Sequence, residues 1–164
     1  MKRDPNQYGE YEATVKEIVE NVRHNGDEAL KEYTLQFDHT ELDTRKMLVS
    51  DDEIAEAESL VDPELKQVMQ KSLENIRNYH KKQLRTSWFD AQPNGTILGQ
   101  KVTPLTRVGV YVPGGKAAYP STVLMNIVPA SVAGVPEIVM VTPPGKDGKV
   151  NPVTLTAAKM AGAT

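Results

Sequence analysis

Apolar residues in the first half of the chain recur with the spacing of amphipathic helices. The first helix is predicted to stop at Asn25-Gly26, and Asp27 is placed to cap a second helix. A short apolar run at residues 47–49 predicts a strand. The apolar positions are Val15, Ile18, Val19 and Val22 in the first helix and Leu30, Tyr33 and Phe37 in the second.

Two further helices in this half have clear start signals. Ser50 and Glu53 have the spacing of a capping box ahead of an apolar-periodic segment. Asp62-Pro63 combines a capping residue with a proline at the first helical position, and the helix it opens is predicted to run to about His80. We therefore interpret residues 1–90 as a helical N-terminal region.

The second half changes from helical to mixed periodicity. Residues 97–102, 107–112 and 137–142 are predicted strands, the last of the buried type. Between them, residues 120–133 predict an apolar helix that Gly134 ends. Ser121 and Thr122 could bind a ligand, but a role in capping this helix is favoured. A final helix is predicted from Asn151-Pro152 to Ala161. This order indicates an α/β fold whose parallel sheet begins, but is not completed, within residues 91–164.

Composition and charge exclude several classes of protein. Hydrophobic residues make up 39% and charged residues 25% of the 164, as in an ordinary globular domain. The net charge of −3 gives no indication of a nucleic-acid partner, and the absence of cysteine excludes disulfides and thiolate metal sites. No run approaches the roughly 18 apolar residues of a membrane span, and we expect a cytoplasmic protein.

The two halves also differ in charge. Residues 1–90 carry 20 acidic and 13 basic side chains, a net charge of −7, whereas residues 91–164 carry 2 acidic and 6 basic side chains, a net charge of +4. A basic second half is compatible with an anionic ligand.

The segment most informative about function is the run from Arg107 to Gly115, in which Tyr111 lies near the end of the predicted strand 107–112 and a glycine-rich loop follows. Glycines allow backbone N–H groups to approach a phosphate, and ligands of open α/β sheets bind at the carboxyl ends of strands. The run has neither dinucleotide-fingerprint nor Walker A spacing, so from spacing alone a tight turn with a packed tyrosine is the favoured interpretation. Lys116 could pair with a phosphate or be solvated.

The remaining chemistry-bearing residues favour structural roles. None of the three histidines has the spacing of a metal ligand, and no nucleophile-base set is recognisable. Lys101 and Arg107 are expected to be solvated or paired on strands. The histidines are His24, His39 and His80. From its residues alone, the chain offers one anion or nucleotide loop, no catalytic residues and no metal ligands.

Several runs, in order, resemble the histidinol dehydrogenase family. The closest match is Val108-Gly-Val-Tyr-Val-Pro-Gly-Gly115, followed by Tyr119-Pro-Ser-Thr-Val-Leu-Met125. The run Asn25-Gly-Asp-Glu-Ala-Leu-Lys-Glu-Tyr33 with Phe37-Asp38, the helix end from Ile76 to His80 and the segments between Pro129 and Pro144 extend it. The resemblance covers nearly the whole chain from about residue 11.

The resemblance implies a function as well as a fold. The family oxidises L-histidinol to L-histidine through L-histidinaldehyde with NAD and zinc, and its members are cytoplasmic homodimers with incomplete Rossmann-like domains. The tyrosine that contacts NAD in the family corresponds to Tyr111. The family's catalytic pair and zinc ligands match positions beyond Thr164, so the chain is expected to be an N-terminal fragment without activity of its own. A non-catalytic NAD-binding, anion-binding or assembly module is the alternative.

Overall fold

The computed structural model describes residues 9–43, 47–114, 118–145 and 147–164. The described residues divide into two compact units. One contains residues up to Val49 and Gly145–Lys149, and the other contains Ser50–Pro144 and Val150–Thr164. The predicted boundary near residue 90 marks the change from helical to mixed secondary structure along the sequence, whereas the packing units divide between Val49 and Ser50.

The first unit is built from two helices and a π-helical turn. These are α1 (Gly9–Asn25), α2 (Asp27–Tyr33) and the turn Thr34–Asp38. Asn21 Nδ2 on α1 donates a hydrogen bond to the Tyr33 hydroxyl at 3.0 Å, and the rings of Tyr33 and Phe37 stack with centroids 5.8 Å apart. The prediction that Asp27 caps α2 is wrong, because the capping position is Gly26 and no side chain caps it.

Local signals correctly place the first helices of the second unit. Helix α3 (Asp51–Leu60) starts with the predicted reciprocal capping box between Ser50 and Glu53. Helix α4 (Pro63–Lys81) starts where the Asp62 carboxylate accepts hydrogen bonds from two backbone N–H groups. The strand predicted at residues 47–49 is absent: these residues are described and lie outside any strand, because no neighbouring strand pairs with them.

A two-stranded antiparallel hairpin follows α4. Strand β1 (Trp88–Ala91) pairs with β2 (Ile97–Gln100). The predicted strand at residues 97–102 is thus confirmed over residues 97–100, whereas β1 was not predicted. Every residue of both strands is exposed. The Ser87 hydroxyl closes the base of the hairpin by accepting a hydrogen bond from the Val102 N–H at 2.8 Å.

The predicted parallel α/β arrangement is confirmed in the second unit. Strand β3 (Arg107–Tyr111) pairs in parallel with β4 (Glu137–Val141), and α5 (Pro120–Val132) connects them. Helix α6 (Pro152–Ala161) follows β4 and is capped by the Asn151 side chain. One face of the sheet, with Val110 and Ile138, joins an apolar core contributed mainly by α4, α5 and α6. The buried core residues of the helices are Met69, Leu73, Val123, Leu124, Ile127, Val128, Ala157, Ala158 and Ala161.

Parallel strands are normally covered on both faces, but the second face of this sheet is exposed. Val139 and Val141 on β4 are 37% and 56% exposed, respectively. None of the helices that the structure describes is long and apolar enough to cross a membrane.

Candidate functional site

Tyr111 is the last residue of β3 and lies opposite Val141, the last residue of β4. The two carboxyl ends therefore meet at one edge of the sheet. Tyr111 is 64% exposed, so its ring is available to a ligand instead of being packed in the core, as a simple tight turn would have required. A solvent-facing phenol at this edge can stack on a planar ring or donate a hydrogen bond.

The segment after Tyr111 is held against the last residue of β4 and the residues that follow it. Val112 is fully buried, and its N–H donates a hydrogen bond to the Val141 carbonyl at 3.0 Å, which extends the ladder beyond the strands. Gly114 then approaches Pro143. Gly115 and Lys116, which belong to the predicted anion or nucleotide loop, lie outside the described residues.

Helix α5 begins close in sequence to this loop. Its capping position is Tyr119 and its first residue is Pro120, and no side chain caps it. The prediction that Ser121 or Thr122 caps the helix is therefore wrong: both lie inside it. In a strand-helix-strand unit the start of the helix lies toward the carboxyl ends of the strands, so α5 opens toward the same edge as Tyr111.

Arg107 occupies the opposite end of the sheet. Its guanidinium lies 2.7 Å from a carboxylate oxygen of Glu137, which starts β4, and this confirms that Arg107 is paired. The hydrogen bond to Glu137, together with the carboxylate charge, raises the pKa of Arg107 above its ordinary value. Strand length separates this pair from Tyr111 by about 13 Å, so it does not belong to the candidate site.

The ring-nitrogen contacts of His24 and His80 are local in sequence. His24 Nδ1 is 2.7 Å from the Glu20 carbonyl, and His80 Nδ1 is 2.7 Å from the Gln83 amide oxygen. His39 follows the π-helical turn in a left-handed conformation. Across the residues that the structure places, no three His, Cys, Asp or Glu side chains could hold a metal ion together. The described residues therefore do not fit a zinc site.

A groove of about 690 Å³, which was not predicted from the sequence, lies among α3, α4 and α6. The α4 side of the groove is a stripe of polar residues at helical spacing, and this stripe is the feature of the sequence from which the groove could have been predicted. The groove does not include Tyr111. Its lining residues are Glu58, Lys66, Gln67, Gln70, Lys71, Glu74, Thr156 and Met160.

Comparison with known proteins identifies the relatives of this chain. The family model for histidinol dehydrogenase matches residues 1–164. The chain belongs to the histidinol dehydrogenase family. The predicted resemblance is thus confirmed over the full sequence.

Individual histidinol dehydrogenases agree with this assignment. The chain is 55% identical to the Heliobacterium mobile enzyme over 148 residues, which is 90% of this chain and 35% of that protein. It is 54% identical to the Bacillus subtilis enzyme over 149 residues, 91% of this chain and 34% of that protein. The crystal structure of histidinol dehydrogenase from Elizabethkingia anophelis matches with a TM-score of 0.86 and 32% identity, covering 99% of this chain and 36% of that one. The chain thus spans about a third of the length of these histidinol dehydrogenases.

Proposed function

We propose that this chain supplies an NAD-binding part of a histidinol dehydrogenase, with Tyr111 as the contact to the cofactor. The observation that carries the proposal is the exposed Tyr111 ring at the carboxyl end of β3, next to the parallel partner β4. Nucleotides bind at this edge in open α/β sheets, and the uncapped start of α5 favours a negatively charged group there. The sheet is then the start of a Rossmann-like domain.

Tyr111 binds and orients the cofactor but does not perform chemistry. Its ring can stack on a base or its hydroxyl can donate a hydrogen bond to a ribose or phosphate oxygen. When bound, NAD supplies the hydride acceptor for alcohol oxidation. We assign no zinc-dependent step to this chain, because its described residues offer no set of ligands.

For the complete protein, we propose oxidation of L-histidinol to L-histidine through L-histidinaldehyde. The family assignment supports this reaction, and it also supports NAD and zinc as cofactors and a cytoplasmic homodimer as the working form. The 164-residue chain alone is expected to be inactive with histidinol, NAD and zinc. NADH formation by the pure chain above a no-protein control would contradict this expectation.

Calorimetric titration with NAD tests the binding proposal. Tyr111→Ala should weaken NAD binding at least tenfold, and Tyr111→Phe separates stacking, which it preserves, from hydrogen bonding, which it removes. Tyr79→Ala is the matched control, because Tyr79 is also 64% exposed but lies on α4. Equal affinities of wild type and Tyr111→Ala would refute the role of Tyr111.

A second candidate function is assembly without cofactor binding. The exposed second face of the β3–β4 sheet, with Val139 and Val141, favours it. Sedimentation velocity of the chain across a concentration series tests this candidate. Self-association combined with no NAD binding would support assembly, whereas a monomer that binds NAD would exclude it.

A further inference from the structure

The approach of Gly114 to the segment after β4 leaves no room for a side chain. A β-carbon at Gly114 would lie 2.9 Å from the Pro143 carbonyl oxygen, 3.3 Å from Pro143 Cδ and 3.4 Å from Thr142 Oγ1. The shortest of these contacts is with backbone, which cannot rotate away as a flexible side chain can. Even the methyl group of alanine must therefore push the two segments apart.

The requirement for glycine at this position is one of space. Gly114 does not have the left-handed backbone that glycine otherwise favours, because its φ lies outside the positive range. Alanine could adopt the same backbone, so a substitution here tests the contact with Pro143 alone.

The contact at Gly114 is the second of two connections between the strand ends. The first is the hydrogen bond from the Val112 N–H to the Val141 carbonyl, with the Val112 side chain fully buried. Pro113, between the two connections, has a fixed φ. Val112 is thus held at the last residue of β4, and Gly114 is held at Pro143, just beyond that strand.

We propose that Gly114 is a positioning residue for NAD: by allowing close packing on Pro143, it holds residues 112–114 in the conformation that presents Tyr111 to the cofactor. This role rests on the proposed function of Tyr111. A loop already held in its binding conformation loses less entropy when the ligand binds, and displacing it by a fraction of an ångström removes that advantage.

The test compares Gly114→Ala with Gly109→Ala. Gly109 lies in the same strand-loop segment, but a β-carbon there would meet no atom within 4 Å and its φ is not positive. Calorimetric titration should show NAD binding weakened about tenfold or more by Gly114→Ala and changed less than twofold by Gly109→Ala. Amide hydrogen exchange should speed up at Val112 in Gly114→Ala only.

The two readouts separate this proposal from the one it rests on. Unchanged NAD affinity and unchanged Val112 exchange in Gly114→Ala would overturn the role of Gly114 while leaving Tyr111 as the NAD contact. Faster Val112 exchange with unchanged affinity would show that the contact does not serve NAD binding, and it would also overturn the proposal. If the wild-type chain binds no NAD, both the proposed function and this role of Gly114 are overturned. The exchange rate at Val112 would still show whether the contact of Gly114 with Pro143 holds the segment.

Discussion

The hydroxyl of Thr156 is a buried polar group whose replacement should stabilise the protein. Thr156 lies inside α6 and is 1% exposed, and its Oγ1 has no hydrogen-bond partner among the described residues. A helical threonine can bond the carbonyl four residues earlier, but this one does not. An unsatisfied buried hydroxyl costs about 1–3 kcal/mol in desolvation, so Thr156→Val should raise the free energy of unfolding by about 1–2 kcal/mol.

Valine is the appropriate probe because it changes little else. It is β-branched like threonine and has nearly the same helix propensity, so packing and backbone preference are retained. In a chain of this size, each kcal/mol shifts the melting temperature by about 2–4 °C. Urea unfolding followed by far-ultraviolet circular dichroism measures the free energy directly.

Thr40 provides the control for this prediction. It is also buried, but its hydroxyl lies 3.3 Å from the Asp38 carbonyl and 3.4 Å from the Gly145 carbonyl. Thr40→Val should therefore lower the free energy of unfolding by about 0.5–1.5 kcal/mol. If Thr156→Val is instead destabilising by a similar amount, the hydroxyl of Thr156 has a hydrogen-bonding role and the reasoning is refuted.

Three other substitutions, and one control substitution at Ser59, test the packing and the helix ends, each measured by urea unfolding. Leu73→Ala, at a core position 1% exposed, should cost about 2–5 kcal/mol, and a loss below 1 kcal/mol would show that the core is loosely packed. Ser50→Ala removes the capping box of α3 and should cost about 1 kcal/mol, whereas Ser59→Ala on the exposed end of that helix should cost less. Gly162→Ala should cost about 1–2 kcal/mol because Gly162 ends α6 with a φ of 96°, and an unchanged stability would mean that this left-handed end is not maintained in solution.

Features set by neighbouring residues were predictable from the sequence. The capping box of Ser50 and Glu53, the Asp62-Pro63 start of α4 and the Asn151 start of α6 each involve residues within one helical turn. The parallel pairing of β3 and β4 was predictable as well, because a helix between two strands is the usual parallel connection.

Features that depend on distant partners were harder to predict. Residues 47–49 have strand-like composition but no strand beside them, and strand preference depends largely on neighbours. The hairpin, in contrast, has a local signal in the sequence: the dipeptide Asn94-Gly95, with Gly95 at a φ of 85°, is typical of hairpin turns.

The candidate site also combines a feature set by neighbouring residues with one that depends on residues distant in sequence. Tyr111 could be identified at a strand end from the local pattern of the sequence. The contact of Gly114 with Pro143 could not, because it joins two loops that are distant in sequence and becomes visible only when the strands are paired.

The exposed hairpin also determines how the molecule can be observed. The chain has a single tryptophan, Trp88, and it lies on β1 with 54% of its surface exposed. Its fluorescence should already be red-shifted in the folded protein and readily quenched by acrylamide. The emission of Trp88 would therefore report fraying of the hairpin, and its wavelength and intensity would change little when the core around Leu73 and Ile127 unfolds. An unfolding curve recorded by tryptophan fluorescence would describe this hairpin and not the stability of the α/β unit.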